Sequence, residues 1–292
     1  MKIFVTGGSG GIGSAVVPNL LAHGHEVVAL ARSTASEAKL ADLGAQVVRG
    51  ELGDLSTLRE QAQLADAVVH LAFVHNWADM SQSGPIDRAA IQAMADVMLN
   101  TDKPLVITAG IEPRDTFYTE NDVPDTQSMR GASEALMRDL TARGLHGVIV
   151  RPAPTVHFQG DLGFVKTIAD VFRENGEAFY VGDGANRWSA VQLQDIGDLY
   201  RLAVEKAPAG AQLHGVGETE IPFKDIAAKL AECYELPLVN VASDVAVERL
   251  HGFIGHVAAA NMAATNDQTK ALVGWEPTHN TLFEDIDAGY YD

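Results

Sequence analysis

The chain has 292 residues, of which 47% are hydrophobic and 21% charged, a balance that supports a sizeable core and excludes disordered, collagen-like and low-complexity classes. Lys and Arg number 21 against 39 Asp and Glu, a formal net charge of −18. Such a surface repels phosphate backbones and anionic lipid, so no nucleic-acid and no membrane partner is expected. An anionic cofactor remains compatible, because it needs only a local set of backbone N–H groups and one or two Arg.

In chain order, short β-rich runs alternate with longer helical stretches. Lys2–Thr6, Glu26–Ala31, Gln46–Arg49, Ala67–Ala72, Leu105–Ala109 and Gly147–Arg151 read as strands, apolar on both faces as buried parallel strands are. Gly11–Ala22, Leu55–Gln63, Ile86–Asn100 and Gly131–Arg143 are long enough for crossover helices. The alternation predicts an α/β fold with a doubly wound parallel sheet of Rossmann type. Pro18 conflicts with the first helix and is expected in its first turns, where a missing N–H is tolerated. Beyond Pro152 the rhythm changes. Helices are expected at Phe164–Arg173, Ala190–Glu205, Lys224–Tyr234 and Ser243–Ala264, with a short strand at Gln212–Val216 and a mostly helical tail from Glu218. Residues 1–154 with 190–217 then form the dinucleotide-binding part, and 155–189 with 218–292 a smaller substrate-binding part.

Thr6-Gly7-Gly8-Ser9-Gly10-Gly11-Ile12-Gly13 follows the first strand directly and opens the first helix. Gly7 suits the tight turn, Gly10 the close approach of a pyrophosphate, and Gly13 the packing of helix on strand. In this strand–turn–helix setting the run reads as a dinucleotide site, with Gly11 and Ile12 inside it. An NAD site asks for Asp or Glu at the end of the second strand. Here Leu30-Ala31-Arg32-Ser33 stands there, and Arg32 offers a donor fork matched to a 2′-phosphate. NADP is expected over NAD, with Arg32 as a solvated strand-end residue the plainer alternative.

These residues make the chain resemble the extended short-chain dehydrogenase/reductase family, the group of NAD(P)-dependent epimerases and dehydratases. The resemblance rests on Thr6–Gly13, Gly53-Asp54-Leu55, His70-Leu71-Ala72, Arg151-Pro152, Val181-Gly182-Asp183-Gly184 and Leu272-Val273-Gly274-Trp275-Glu276-Pro277. It implies that Asp54 and Leu55 hold the adenine, that Leu71 and Ala72 pack along the cofactor, and that Pro152–Thr155 meets the nicotinamide. By residue type alone, Asp54 fits an ordinary helix N-cap equally well.

The departure concerns the proton. Family reductases carry a Tyr with a Lys four residues later, the cation lowering the phenol's pKa. No Tyr of this chain has that partner, and the matching segment reads Arg130-Gly131-Ala132-Ser133-Glu134. Arg130 falls at the Tyr and Glu134 at the Lys, a spacing that suits an i,i+4 ion pair. Thr108, His75 and Tyr118 remain as catalytic candidates near the carboxyl ends of the strands. Thr108 fits a strand-end residue bonding its own backbone equally well. Arg187 and Trp188 are expected to clamp a substrate or to pair as surface cation and ring. The histidine spacings match no metal motif, and none is expected. The single cysteine, Cys233, excludes an intramolecular disulfide. No apolar run approaches the ~18 residues of a bilayer span, and Ile3-Phe4-Val5 is too short for a signal sequence. The expectation is therefore a cytoplasmic NADP(H)-dependent oxidoreductase acting on a small carbonyl-type substrate, with room for a homodimer. A non-catalytic NADP-binding redox sensor is the alternative.

Overall fold

The computed structural model describes residues 1–75 and 80–292. Its first half alternates strand and helix: β1 (Lys2–Thr6), α1 (Gly13–Ala22), β2 (Glu26–Ala31), α2 (Thr34–Asp42), β3 (Gln46–Arg49), α3 (Leu55–Leu64), β4 (Ala67–His70), α4 (Ser83–Ala95), β5 (Pro104–Thr108), α5 (Met129–Ala142) and β6 (His146–Pro152). There follow β7 (Thr155–His157), α6 (Phe164–Asn175), β8 (Ala178–Val181), β9 (Arg187–Gln192), α7 (Leu193–Lys206), β10 (Gln212–Gly215) and β11 (Glu218–Pro222). The chain ends through α8 (Phe223–Cys233), β12 (Leu238–Val241), α9 (Ser243–Arg249), α10 (Phe253–Ala259), α11 (Asp267–Val273) and α12 (Leu282–Asp287).

The central sheet has seven strands in the order β10-β6-β5-β4-β1-β2-β3, all parallel. Apart from the edge strand β3, its strands are buried on both faces, and the alternation of side chains divides the core in two. Ile3, Val5, Val27, Ala29, Val69, Val106 and Val148 join α1 and α7 on one face. Phe4, Val28, Leu30, Val68, Leu105, Ile107 and Ile149 meet α3, α4 and α5 on the other. The strand order reverses between β1 and β4, where Thr6 lies beside His70. A crevice at the carboxyl ends of those strands is where a doubly wound sheet binds its ligand.

The remaining strands form a β11-β9-β7 sheet and a β12-β8 pair. Their residues share one continuous apolar cluster with the α1 and α7 face of the main sheet. Several local expectations fail for identifiable reasons. Ala190–Gln192 are strand, since Ala190 pairs with both Thr155 and Glu218. The expected Ser243–Ala264 helix breaks where His251 and Gly252 take φ of 56° and 83°. Its last residues run instead beside Trp188 and Tyr118 as isolated bridges. The tail from Glu218 also carries β11 and β12, held by pairing with distant strands rather than by local pattern. An unforeseen α2 starts on a capping box between Ser33 and Ser36. Pro18 lies at the sixth of ten positions of α1, beyond the first turn.

Candidate dinucleotide and substrate site

The glycine loop is shaped by the absence of side chains. Gly7 has φ +74°, and a Cβ there would lie 2.6 Å from the Ala72 nitrogen across the crevice. A Cβ on Gly13 would lie 2.4 Å from the Gly7 oxygen, so the start of α1 touches the loop behind β1 backbone to backbone. A Cβ on Gly10 would meet the Gly7 oxygen alone, at 3.3 Å, which leaves the loop's outer side open. Ile12 stands at the N-cap of α1 with no side-chain cap; Ser14 N–H already donates to the Gly10 oxygen at 2.9 Å and Ala15 N–H to the Ile12 oxygen at 3.1 Å, so the N–H groups of Gly11–Gly13 and the helix dipole are what the loop offers an anion. Gly11 faces the edge of the Phe158 ring.

Around the loop, Leu71 N–H donates to the Thr6 oxygen at 3.1 Å, and Ala72 N–H donates to Thr6 Oγ1 at 3.3 Å. Pro152 is buried at the end of β6 and accepts from Ile111 N–H at 3.2 Å. Asp54 makes no cap to α3; its Oδ2 accepts from Glu51 N–H at 2.9 Å and closes the turn before that helix. Leu55 is half-buried beside it. Arg32 is exposed one residue beyond β2 and has no hydrogen-bond or ionic partner among the described residues. Ser33 is occupied in capping α2.

Two of the three catalytic candidates are taken up by the fold. The Thr108 hydroxyl donates to the His70 oxygen at 3.0 Å and so must accept from Tyr200 OH at 2.7 Å. With its one proton committed, it cannot also donate to a substrate carbonyl. Tyr118 is not on a rim at all. It is 0% exposed, its ring stacked on His214 at 5.5 Å and flanked by Arg114 and Arg151. Burial raises its pKa, against the pull of Arg151, so the phenol holds its proton more firmly. Trp188 is likewise 0% exposed, packed with Phe164 and Phe223. Arg187 points outward to Glu220 at 3.4 Å. The two residues therefore form neither a clamp nor a cation–π pair, because alternate strand positions face opposite sides.

His75 is exposed, its ring edge-on to Phe73 at 5.2 Å. Partial burial and the nearby Arg130 charge lower its pKa, while a hydrogen bond to the Phe73 backbone opposes them. Arg130, at the position of the family tyrosine, lies with its guanidinium 3.8 Å over the Phe73 ring. Its NH1 donates to the Thr108 oxygen at 3.1 Å and sits 4.0 Å from Asp87 Oδ1. The side chain is 27% exposed, and its other N–H groups have no partner among the described residues.

Below Arg130 runs a buried polar chain that sequence reasoning missed. Ser133 Oγ donates to Asp87 Oδ2 at 2.6 Å, and Asp87 Oδ1 faces His70 Nε2 at 3.1 Å. The carboxylate only accepts, so Nε2 carries a proton, and Nδ1 lies 2.7 Å from Thr6 Oγ1 on the other side of the ring. Burial pushes the Asp87 pKa up, but His70, Arg130 and Ser133 outweigh it and hold the carboxyl below its ordinary value. A signal was present: Asp87 shares one helix face with Ala90, Ile91 and Met94, an acid in an apolar stripe.

The expected Arg130–Glu134 pair does not form. Glu134 is 1% exposed and faces Arg151, itself 0% exposed, with NH2 to Oε2 at 2.6 Å and Nε to Oε1 at 3.0 Å. Arg151 also donates to the Asp122 oxygen at 3.0 Å and to Gln212 Oε1 at 2.8 Å. His214 donates from Nδ1 to the Thr265 oxygen at 2.8 Å, leaving Nε2 to accept from Arg151 NH1 at 3.3 Å. Among the described residues no group of three or more His, Cys, Asp or Glu could hold a metal ion, and no helix is long and apolar enough to cross a membrane.

An uncapped glycine-loop helix at the switch point of a parallel sheet is a dinucleotide site in form, and comparison with known proteins agrees. Residues 7–166 match a family model described as NAD(P)H-binding. The whole chain is 36% identical over 295 residues to an uncharacterized protein of Schizosaccharomyces pombe, covering 100% of both. The chain belongs to this NAD(P)H-binding family. It is also 28% identical over 264 residues to the 2-alkyl-3-oxoalkanoate reductase of Stenotrophomonas maltophilia, covering 83% of this chain and 78% of that one. Its fold matches the UDP-glucose 4-epimerase of Thermotoga maritima with a TM-score of 0.78, 19% identity and coverage of 100% and 98%.

Proposed function

We propose that this protein is an NADP(H)-dependent reductase of small carbonyl compounds, in which Arg130 takes the place of the family tyrosine as the group that receives the substrate oxygen. The single observation that carries the reading is the setting of Arg130. Its guanidinium is partly exposed, fixed by Phe73 below and the Thr108 oxygen at one end, with donor groups to spare.

The nicotinamide supplies the hydride chemistry when bound. Gly7–Gly13 and the start of α1 would hold its pyrophosphate, Asp54 and Leu55 its adenine, Leu71, Ala72 and Pro152 its inner half, and Arg32 with Ser33 its 2′-phosphate. The chain's own residues then have two tasks. Arg130 stabilises negative charge growing on the substrate oxygen, a role for which a fixed, partly desolvated cation suits better than a mobile one. Asp87, 4.0 Å from the guanidinium, offsets part of that charge from below. His75, beside Arg130, is the proton donor; Thr108 and Tyr118 act in the structure around it. The oxo group named in the 2-alkyl-3-oxoalkanoate reductase supports the carbonyl class. We take residues 1–154 with 190–217 as the cofactor part and 155–189 with 218–292 as the substrate part.

One observation favours a second reading, a redox-sensing NADP-binding protein: both tyrosine and threonine candidates have their hydroxyls buried. The purified protein, given NADPH and a panel of aldehydes, ketones, imines and quinones, separates the two. Nicotinamide oxidation with a carbonyl substrate supports the reductase. Tight binding that differs between oxidised and reduced cofactor, with no turnover across the panel, supports the sensor.

A further inference from the structure

We infer, resting on the carbonyl-reductase reading, that Asp87 is a positioning residue for Arg130: Ser133 and His70 hold its carboxylate where it attracts the guanidinium without consuming its donors. Asp87 lies on α4 and is 1% exposed. Its Oδ2 accepts from Ser133 Oγ on α5 at 2.6 Å, and its Oδ1 from His70 Nε2 on β4 at 3.1 Å. With one oxygen gripped from each side, the plane of the carboxylate is fixed. Oδ1 then stands 4.0 Å from Arg130 NH1, near enough to attract a charge and too far for a hydrogen bond.

Among the described residues Asp87 is the one carboxylate within 4.0 Å of Arg130, since Glu134 is taken by Arg151. The other two holds on Arg130, the Phe73 ring at 3.8 Å and the Thr108 oxygen at 3.1 Å, carry no charge. A direct bidentate pair would use up two N–H groups of the guanidinium. The observed spacing leaves them for a substrate oxygen. An enclosed carboxylate stays ionised only with compensating partners, and His70, Arg130 and Ser133 supply them. His70 is steadied in turn by Thr6 Oγ1, 2.7 Å from Nδ1, on the last residue of β1 before the glycine loop. The support of Arg130 thus ends on the central sheet and not on a mobile surface group.

NMR of the full chain labelled at arginine nitrogen, without cofactor, reads the placement of Arg130 with no need for turnover. Its side-chain resonance, assigned by loss in Arg130→Lys, should carry the upfield shift of a group stacked on Phe73. Asp87→Asn keeps the shape and removes the charge. It should collapse that shift toward a free arginine and lower kcat for a carbonyl substrate by about tenfold, with NADPH affinity within about twofold. In the Arg130→Ala background the same substitution should change kcat by less than about twofold, because the group it positions is gone. Ser133→Ala, a milder change, frees Oδ2 and should let the carboxylate turn onto NH1. The Arg130 N–H signals should then move downfield and exchange more slowly with water, and kcat should again fall about tenfold. An Arg130 resonance unmoved in Asp87→Asn, or an equal fall in kcat in both backgrounds, makes Asp87 purely structural and overturns the assignment. An Arg130 resonance unmoved in Ser133→Ala overturns the role of the grip. A chain that reduces no carbonyl compound, yet shows the shift and its collapse in Asp87→Asn, refutes the reductase reading and leaves the placement of Arg130 by Asp87 standing.

Discussion

Glu134 stands four residues beyond Arg130 on α5, yet its carboxylate belongs to Arg151 on β6, 2.6 Å away and fully enclosed. The family's catalytic helix face is thereby split into two jobs. Arg130 keeps a partly exposed guanidinium over the Phe73 ring, and Glu134 ties α5 to Arg151 of β6, which itself donates to the Thr119 and Asp122 oxygens.

The two positions should respond differently to removal. Glu134→Ala leaves a buried guanidinium without its counter-charge and should cost about 3–5 kcal/mol. Arg130→Ala loses a partly exposed cation–π contact and should cost about 1 kcal/mol. Urea unfolding of both variants checks this, and equal losses would mean that Arg130 is as structural as Glu134.

The loop glycines divide in the same way. Gly10→Val adds a side chain on the open side, so it should abolish dinucleotide binding while the melting temperature changes little. Gly13→Val drives a Cβ into backbone at 2.4 Å and should destabilise the whole fold. A Gly10→Val protein that still binds NADPH normally would move the pyrophosphate elsewhere.

These cases show what the sequence could reveal. The strands of the central sheet and the glycine loop were legible because local pattern specifies them: buried parallel strands are apolar throughout, and a loop that opens a helix must be small. Tyr118 and Trp188 were misread because their burial comes from Ala263, Met262 and Phe223, residues far along the chain that pattern does not bring near. The Glu134–Arg151 pair was hidden for the same reason, since a helix spacing of four offered a nearer partner. α2 went unforeseen because its mostly polar residues, with Leu40 alone buried, give a weak helical pattern.

His214 should make stability depend on pH. Burial lowers its pKa to about 4, and Glu120 and the Thr265 hydrogen bond only partly oppose this. The unfolded histidine binds its proton near pH 6.5, so between about pH 6.5 and 4 the unfolded state holds more protons and stability falls as pH falls. His214→Gln should flatten that limb of a denaturation profile, at some cost in stability at pH 7. An unchanged slope would mean that the proton is taken up at another group.

Arg32→Asp should cost NADPH about 2–4 kcal/mol through loss of the fork and new repulsion, and should spare NADH. Parallel titrations check it. Equal weakening of both cofactors would remove Arg32 from phosphate recognition.

The most direct test of the account is the rate of NADPH oxidation by an accepted carbonyl substrate, compared across the unmodified chain, Arg130→Ala, Arg130→Lys and His75→Gln as pH varies. Arg130→Ala should lower kcat by about 100-fold, the scale of a lost oxyanion donor, with NADPH affinity unchanged, and Arg130→Lys should recover part of it. In the unmodified chain the rate should fall as pH rises past the His75 pKa, held below its ordinary 6.5 by burial and Arg130, because the protonated ring is the active form. His75→Gln should erase that limb. Full turnover in Arg130→Ala would contradict the account.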